Sequence, residues 1–344
     1  MSSSKVVKRK KEHINICLNE DVNFITKSNG FENYEFEHYA ITEVEFDKID
    51  LTTKFFSKKI FYPILISSMT GGSKESEKIN ERLAIVAKTF NIPIGVGSQR
   101  QALDNKKYLT SYKVFRKNCG NVPLIGNIGA YQVANSKNVV EEINYLIDLI
   151  EADAMIIHLN PLQEILQKEG EPNFKGLLKN IEKLTSKIRL PFIIKEVGCG
   201  ISKTAAKKLL DAGVKGIDVA GAGGTSWAAV ELLRNGQKSI FRDWGLPTSY
   251  CLRTVNELKK DYNFLLISSG GISNGIDIAK SLSLGADIVG IARLILKFIV
   301  NSIEDTVRLL ELWIDEMKKV MYLTGAQNLS ELKKVKLIKK SELY

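Results

Sequence analysis

The sequence predicts a single (β/α)8 TIM barrel with an N-terminal extension, and three observations favour this fold. From residue 60 onward, eight short apolar runs alternate with amphipathic segments of helical period. The runs are continuously apolar, which is typical of parallel strands that are buried on both faces. Polar and glycine-rich clusters directly follow nearly every run, and in barrels the carboxyl ends of the strands form the active face. A doubly wound open sheet is the structural alternative.

The apolar runs and their spacing define the predicted elements. Ile79, Leu83, Val86 and Phe90 share one face of a predicted helix, and Ser202 is the expected N-cap of another helix that Gly213 closes. The predicted strands are Ile60–Ser68, Pro93–Gly97, Pro123–Asn127, Ala154–Leu159, Pro191–Val197, Gly216–Ala220, Phe264–Ser268 and Asp287–Ile291.

Two units follow from this pattern: an extension, residues 1–59, that we expect to contribute to the active site, and a barrel, residues 60–344. Within the extension, the polar and aromatic stretch Phe31–Phe46 is expected to form a hairpin or a plug. The stretch Trp227–Tyr262 is too long for one crossover helix, and a lid is one interpretation of it.

Composition limits the class of protein. A 44% share of hydrophobic residues with 26% charged residues is typical of a soluble globular enzyme. The longest apolar runs, such as Ile60–Met69, fall short of the roughly 18 residues that a membrane span requires. No apolar stretch of signal-peptide length follows the basic first residues, so we expect a cytoplasmic protein with no membrane partner.

The formal net charge of +10 suits an anionic partner, whether a nucleic acid, a membrane surface or a phosphorylated metabolite. Basic clusters lie at residues 8–11 and 333–340, and each is either a solvated terminal run or an anion-binding element. The four cysteines include no Cys-x-x-Cys pair, which argues against a structural zinc site and against a disulfide framework.

Two glycine pairs follow the late strands of the predicted barrel. Gly223 and Gly224 precede Thr225 after the sixth strand, and Gly270 and Gly271 follow the seventh. Glycines there allow backbone N–H groups to approach a phosphate, and a following helix N-terminus adds its dipole. Barrels commonly hold phosphate at this position, so the sequence predicts a phosphate site.

Lys195 stands at the end of an apolar strand, where an unpaired buried ammonium is costly. A salt bridge to Glu196 is geometrically poor because neighbours on a strand point to opposite faces. We therefore expect Lys195 to point inward, where a cation can stabilise the negative charge of a reduced flavin. Glu164 lies just past another strand end, and a hard oxygen ligand there could hold Mg²⁺ through diphosphate oxygens and water. Arg100 and the Arg9-Lys10 pair could neutralise the same anion.

Together these residues resemble the flavin-dependent type 2 isopentenyl diphosphate isomerases over nearly the whole chain. The motifs that carry the resemblance are Arg9-Lys10-Lys11-Glu12-His13, Met69-Thr70-Gly71-Gly72, Gly97-Ser98-Gln99-Arg100, His158-Leu159-Asn160-Pro161-x-Gln163-Glu164, Lys195-Glu196, Gly223-Gly224-Thr225-Ser226-Trp227, Asp243-Trp244-Gly245 and Ser269-Gly270-Gly271.

The resemblance implies interconversion of isopentenyl and dimethylallyl diphosphate by proton addition and removal, with reduced FMN, Mg²⁺ and NADPH as the reductant, in a homotetramer or homo-octamer. It implies that Gln163 and His158 are catalytic and that Glu164 binds the metal. Substrate-binding residues implied by the motifs are Arg9, Lys10, Ser98, Gln99, Arg100, His158 and Gln163. Cofactor-binding residues are Ser68, Met69, Thr70, Ser98, Asn127, Lys195, Thr225, Gly271, Ile272, Ser273, Ala292 and Arg293.

Three positions depart from the family pattern. Ala220 stands where a small hydroxyl residue is common, Ser273 where arginine is common, and Arg293 where an apolar residue is usual. These changes affect side-chain contacts to the cofactor phosphate, whereas backbone donors would survive all three.

Two other functions stay open on the residues alone. The first is an FMN-dependent oxidoreductase. A hydroxy-acid oxidase would carry a different residue cluster after strand six, and a nucleotide dehydrogenase would carry a nucleophilic cysteine. Cys199 is the candidate cysteine near the active face, and we interpret it as structural. A nonenzymatic nucleic-acid binder would exploit the positive charge, but the basic clusters lack interleaved stacking aromatics, so we expect no nucleic-acid partner.

Overall fold

The computed structural model describes residues 3–344. Its strands are β1 (Tyr34–Phe36), β2 (Thr53–Phe55), β3 (Lys58–Ile60), β4 (Ile64–Ile66), β5 (Ile94–Gly95), β6 (Leu124–Gly129), β7 (Ala154–Leu159), β8 (Phe192–Glu196), β9 (Gly216–Asp218), β10 (Leu265–Ser269), β11 (Ile288–Ile291) and β12 (Leu337–Lys339). Strands β4 to β11 close into a parallel barrel whose order around the ring is the order along the chain. The predicted (β/α)8 barrel is confirmed.

Helices surround this barrel. They are α1 (Ser3–Asn19), α2 (Lys74–Phe90), α3 (Arg100–Asp104), α4 (Thr110–Cys119), α5 (Ala130–Asn135), α6 (Val139–Ile150), α7 (Pro161–Leu166), α8 (Leu177–Lys187), α9 (Lys203–Asp211), α10 (Trp227–Asn235), α11 (Thr248–Asn256), α12 (Gly275–Ser283), α13 (Arg293–Ile299), α14 (Ile303–Leu323) and α15 (Leu329–Leu332). Short 3-10 turns lie at Phe31–Asn33, Phe46–Lys48, Lys106–Tyr108, Ile240–Asp243, Glu257–Lys260 and Lys340–Glu342. Within the described residues, no helix combines the length and the apolar character needed to cross a membrane.

The local signals in the sequence act as expected. Leu83, Val86 and Phe90 are buried on the inner face of α2. The Ser202 side chain accepts a hydrogen bond from the Ala205 amide and so caps α9. The carboxyl ends of all eight barrel strands open onto the same face because the strands are parallel.

The barrel interior has an apolar layer beneath a polar one. The apolar layer consists of Leu65, Ile125, Ile156, Ile193, Ile267 and Ile288. Two residues further along the strands, on the same face, lie Ser67, Asn127, His158, Lys195 and Ser269, and Asp218 of β9 joins them as the register partner of Lys195. The period of two therefore turns a hydrophobic core into a polar floor at the carboxyl ends of the strands.

The extension differs from expectation in two places. Stretch Phe31–Phe46 is neither a hairpin nor a plug: its strand β1 pairs antiparallel with β12 near the C-terminus. The hairpin is formed instead by β2 and β3, whose Phe55 and Ile60 pack against the apolar layer inside the barrel. The first predicted strand, which began at Ile60, was therefore too long because Ile60 ends that hairpin and β4 begins only at Ile64.

Residues 21–31, which we call the strap, run across the mouth of the barrel. The Val22 carbonyl accepts from the Ser226 amide at 2.8 Å. Further along, Nδ2 of Asn29 donates to the carbonyl of Gly271 at 2.7 Å. The strap thus joins the two glycine-rich loops that follow β9 and β10.

Candidate active site

A cavity of about 620 Å³ opens at the carboxyl ends of the barrel strands. Its walls come from the strand ends, from α1 and from the strap. The site residues expected from the sequence that line it are Arg9, Lys10, Ser68, Met69, Thr70, Ser98, Arg100, Asn127, His158, Gln163, Glu164, Lys195, Thr225, Gly271, Ile272, Ser273, Ala292 and Arg293. The structure therefore brings together residues from nearly the whole length of the chain.

Gln99 is the exception among the expected site residues. Its side chain is fully buried, and its Nε2 donates to the Leu146 carbonyl at 3.0 Å. Its Oε1 accepts from the Asn127 amide at 2.9 Å. The expected contact between Gln99 and the substrate is therefore wrong, because both ends of its side-chain amide are hydrogen-bonded to the backbone of neighbouring elements.

The two glycine-rich loops pack backbone against backbone. A Cβ atom on Gly224 would lie 2.6 Å from the amide nitrogen of Gly271, and one on Gly271 would lie 2.6 Å from the carbonyl oxygen of Gly223. Gly271 also has a φ of 78°, which side chains rarely tolerate. Nearby, the hydroxyls of Ser67 and Ser68 are buried without a hydrogen-bond partner. Glycine backbone that carries no side chains, together with the two hydroxyl groups that lack partners, suits a phosphate-bearing ligand.

Lys195 and Glu196 diverge at the end of β8. The Lys195 side chain lines the cavity, with Nζ donating to the backbone carbonyl of Glu196 at 2.7 Å. The Glu196 carboxylate accepts instead from the amides of Val197 and Gly198, at 2.6 and 2.7 Å. Burial raises the pKa of Glu196 to about 7, against the opposing effect of these amides. The two side chains form no salt bridge, so the cation faces the cavity.

His158 faces the same cavity as a neutral imidazole. Its Nδ1 lies 2.9 Å from Oδ1 of Asn127, and the Asn127 amide is oriented because its Nδ2 donates to the Val96 carbonyl at 3.2 Å. An amide oxygen only accepts, so Nδ1 carries the proton and Nε2 keeps its lone pair. Burial, together with the positive charges of Lys195 and Lys10, lowers the pKa of His158 to about 3.

Glu231 is the centre of a network that the sequence interpretation missed. It is fully buried on α10, and its Oε1 lies 2.9 Å from Nε2 of His13 and accepts from Nε2 of Gln163 at 2.9 Å. Arg234 pairs with the other carboxylate oxygen at 3.2 Å. Burial raises the pKa of Glu231, but the bonds from His13, Gln163 and Arg234 outweigh it and leave the pKa lowered. A glutamate within the apolar run Ala228–Leu233 was the available signal.

Glu164 is held in place before any ligand arrives. Its two oxygens accept from Nδ2 of Asn160 and from the amide of Glu171, both at 2.8 Å. Arg100 pairs with the Glu171 carboxylate at 2.7 Å. Within residues 3–344, no group of three His, Cys, Asp or Glu side chains is arranged to hold a metal ion. A cation at Glu164 would therefore take most of its ligands from a bound anion and water.

Helix α1 divides the basic N-terminal run into two faces. The side chains of Lys8 and Lys11 are 81% and 61% exposed, whereas Arg9 and Lys10 line the cavity. Burial and the neighbouring Arg100 lower the pKa of Arg9. The run is therefore neither wholly solvated nor wholly anion-binding, because residues three apart on a helix, such as Lys8 and Lys11, share one face and leave Arg9 and Lys10 on the other.

Two remaining positions near the cavity have defined environments. Arg293 donates from Nη2 to Oδ1 of Asn23 in the strap, so its charge reaches the rim of the cavity. Burial and the nearby Glu196 raise the pKa of the Cys199 thiol. A thiol with a raised pKa is a poor nucleophile, which agrees with the structural role expected for Cys199.

Comparison with known proteins identifies the family. Residues 149–339 match the model of the FMN-dependent dehydrogenase family. The chain is 44% identical to the isopentenyl-diphosphate delta-isomerase of Pelodictyon phaeoclathratiforme, over 98% of this chain and 99% of that protein. It is 43% identical to the enzyme of the same name from Chlorobaculum parvum, over 98% of this chain and 99% of that one.

The fold also resembles that of solved flavin oxidases. A mandelate oxidase variant crystallised with an FMN adduct superposes with a TM-score of 0.68 over 97% of this chain and 99% of its own, at 13% identity. That likeness concerns the fold, whereas the full-length identity to the isomerases concerns the family. The chain therefore belongs to the isopentenyl-diphosphate delta-isomerases, in their FMN-dependent type 2 family.

Proposed function

We propose that this isomerase converts isopentenyl diphosphate to dimethylallyl diphosphate. The reaction adds a proton at one carbon of an alkene and removes another across an allylic unit, without net redox change. The proposal depends on one observation: a single cavity contains two regions suited to bind anions and a wall of uncharged polar side chains. That wall consists of His158 and Gln163, which are joined to Asn127 and to Glu231 by hydrogen bonds of 2.9 Å.

FMN fits the region of the cavity built from the strand ends. The two glycine-rich loops would take its phosphate through backbone amides, and the unsatisfied hydroxyls of Ser67 and Ser68 would be satisfied there. Lys195 would meet the ring, where a cation favours the reduced, negatively charged form. When bound, reduced FMN supplies the acid–base group for the alkene, in keeping with the rule that cofactors carry the hard chemistry.

The diphosphate of the substrate is assigned to the opposite wall, formed by Arg9, Arg100 and Glu164. The two guanidinium groups bind phosphate oxygens, and Arg100 is already aligned by its bond to Glu171. Glu164 would hold Mg²⁺, which supplies further positive charge to the diphosphate. Lys10 supports this wall, because its ammonium is bonded to the carbonyls of Gly71 and Ser98.

The neutral wall orients the hydrocarbon and excludes water. His158 stays uncharged, so a carbocation-like transition state meets no full positive charge from the imidazole. Gln163 is held at both ends, by Glu231 at 2.9 Å and by Asn160 at 3.3 Å. We assign the catalytic positioning of the substrate to these two side chains.

The proposal includes NADPH as the reductant that keeps FMN reduced, and assembly as a homotetramer or homo-octamer. The first part is tested by anaerobic reduction of the bound flavin with NADPH. Light scattering on purified protein tests the second, and a monomeric mass would refute it.

Product formation tests the function itself. The purified chain is incubated anaerobically with isopentenyl diphosphate, FMN, dithionite and Mg²⁺, and the products are followed by NMR. We expect dimethylallyl diphosphate to form over many turnovers while the flavin stays reduced. Oxidised FMN in a matched sample provides the control. Failure of the reduced sample to form product, with FMN bound, would refute the proposal.

A further inference from the structure

The polar floor of the barrel contains one buried carboxylate that the proposed function leaves unused. In the eight barrel strands that the structure describes, Asp218 is the acidic residue on the interior face. It is 0% exposed. An ionisable group buried to that extent is costly unless it is compensated, so its surroundings are informative.

Asp218 is only partly satisfied by its neighbours. Its Oδ1 accepts from the Ser269 hydroxyl at 2.5 Å. Its Oδ2 forms no hydrogen bond of normal geometry. Burial leaves the pKa of Asp218 raised above its usual value, although Lys195, the Ser269 hydroxyl and the Ala220 amide each act to lower it. The Ser269 hydroxyl thus orients one carboxylate oxygen, whereas the other oxygen, Oδ2, has no hydrogen-bond donor to offset its burial.

Lys195 is the neighbour that can compensate it. Lys195 of β8 and Asp218 of β9 are register partners in adjacent parallel strands, so both side chains leave the sheet on the interior face. The Lys195 side chain reaches the cavity, whereas Asp218 lies beneath the cavity floor. In a medium of low dielectric constant, opposite charges on adjacent strands interact strongly.

We infer that Asp218 is a positioning residue that acts through Lys195 and sets the net positive charge that the barrel floor presents to a bound FMN. This inference rests on the proposed function, because it takes FMN as the ligand of the cavity. An ionised Asp218 offsets the Lys195 ammonium and restrains the preference of the site for the reduced, anionic flavin. Without it the floor carries one more unit of positive charge.

Asp218→Asn tests the inference, because it removes the charge and keeps the shape. The measurement is the ratio of the dissociation constants of oxidised and reduced FMN, checked by the midpoint potential of the bound flavin. We expect the ratio to rise at least tenfold, equivalent to about 30 mV for a two-electron couple. Asp211→Asn, an exposed carboxylate at the end of α9, is the control. An unchanged ratio in Asp218→Asn overturns the inference.

A double-mutant cycle separates action through Lys195 from a direct effect on the flavin. In a Lys195→Met background, an isolated buried carboxylate takes up a proton, so we expect Asp218→Asn to change the ratio less than threefold. A tenfold change in both backgrounds would overturn the positioning role. If Asp218→Asn does not fold, Ser269→Ala withdraws a bond that favours the charged carboxylate. It is expected to raise the ratio too, and no change would then overturn the inference.

The outcomes for the two proposals are distinguishable. A wild-type chain that binds FMN but does not convert isopentenyl diphosphate refutes the function and leaves the redox inference testable. A wild-type chain that converts it, with an Asp218→Asn variant of unchanged potential, refutes the inference alone.

Discussion

The ammonium Nζ of Lys10 lies 2.6 Å from the carbonyl oxygen of Gly71, although the two residues stand far apart in the sequence. The same atom donates to the Ser98 carbonyl at 3.2 Å and to the Tyr112 hydroxyl at 3.4 Å. These three bonds use the three hydrogens of an ammonium group. Lys10 therefore fastens α1 to the loops that follow β4 and β5.

This attachment makes folding stability depend on pH. Burial, with the charges of Arg9 and Arg100, lowers the pKa of Lys10 from 10.5 to about 7. Between those values the unfolded chain binds more protons than the folded chain, so stability rises with pH. We expect the wild type to gain about 2 kcal/mol of unfolding free energy relative to Lys10→Met between pH 7 and 9. Urea titrations at each pH measure it.

Lys11→Met is the matched control, because that side chain is 61% exposed. The difference between wild type and Lys11→Met is expected to stay constant over the same range. A difference between wild type and Lys10→Met that also stays constant would contradict the lowered pKa.

His158 is expected to remain neutral throughout the working range of pH. Its pKa is lowered to about 3 by burial and by the two neighbouring lysines, so the ring binds no proton between pH 5 and 8. Nitrogen-15 NMR of selectively labelled histidine reports this directly, and His158→Gln assigns the signal among the three histidines of the chain. We expect chemical shifts of a neutral ring protonated on Nδ1. A titration midpoint above 5 would disprove the assignment.

The sequence was sufficient to predict the barrel, because continuous apolar runs and strand-end clusters are local signals. Helix α1 was not predicted, since its residues are mostly polar and the fold depends on tertiary contacts such as those of Lys10. The pairing of His13 with Glu231 joins the extension to α10, and no local pattern reports such a contact. Gln99 stands within a recognised motif, but only the structure shows that its amide points away from the cavity.

Glu164→Gln tests the proposed metal site. Glutamine keeps the size and one acceptor but loses the charge that Mg²⁺ requires. We expect turnover to fall at least a hundredfold at saturating substrate, while the affinity for FMN changes less than twofold. Glu182→Gln, an exposed substitution on α8, is expected to leave both unchanged. Normal Mg²⁺-dependent turnover by Glu164→Gln would remove this residue from the metal site.

Asp243 fastens the strap over the glycine-rich loops. Its carboxylate accepts from the amides of Ile25 and Thr26, at 2.7 and 2.8 Å, and from the Thr26 hydroxyl at 2.7 Å. Burial raises the pKa of Asp243, but these donors outweigh it and leave the pKa lowered. The carboxylate is therefore charged at neutral pH, and the attachment weakens when acid protonates it.

Because the strap joins both loops assigned to the FMN phosphate, its attachment should control how fast FMN leaves. Asp243→Asn replaces one carboxylate oxygen with an NH2 group. That group cannot accept a hydrogen bond from the strap, and the loss costs about 1 to 2 kcal/mol. We expect FMN to dissociate about tenfold faster, measured by flavin fluorescence after rapid dilution. Asp315→Asn on α14, which breaks only a surface pair with Lys319, should release FMN at the wild-type rate. Equal rates in the two variants would mean that FMN leaves without displacing the strap.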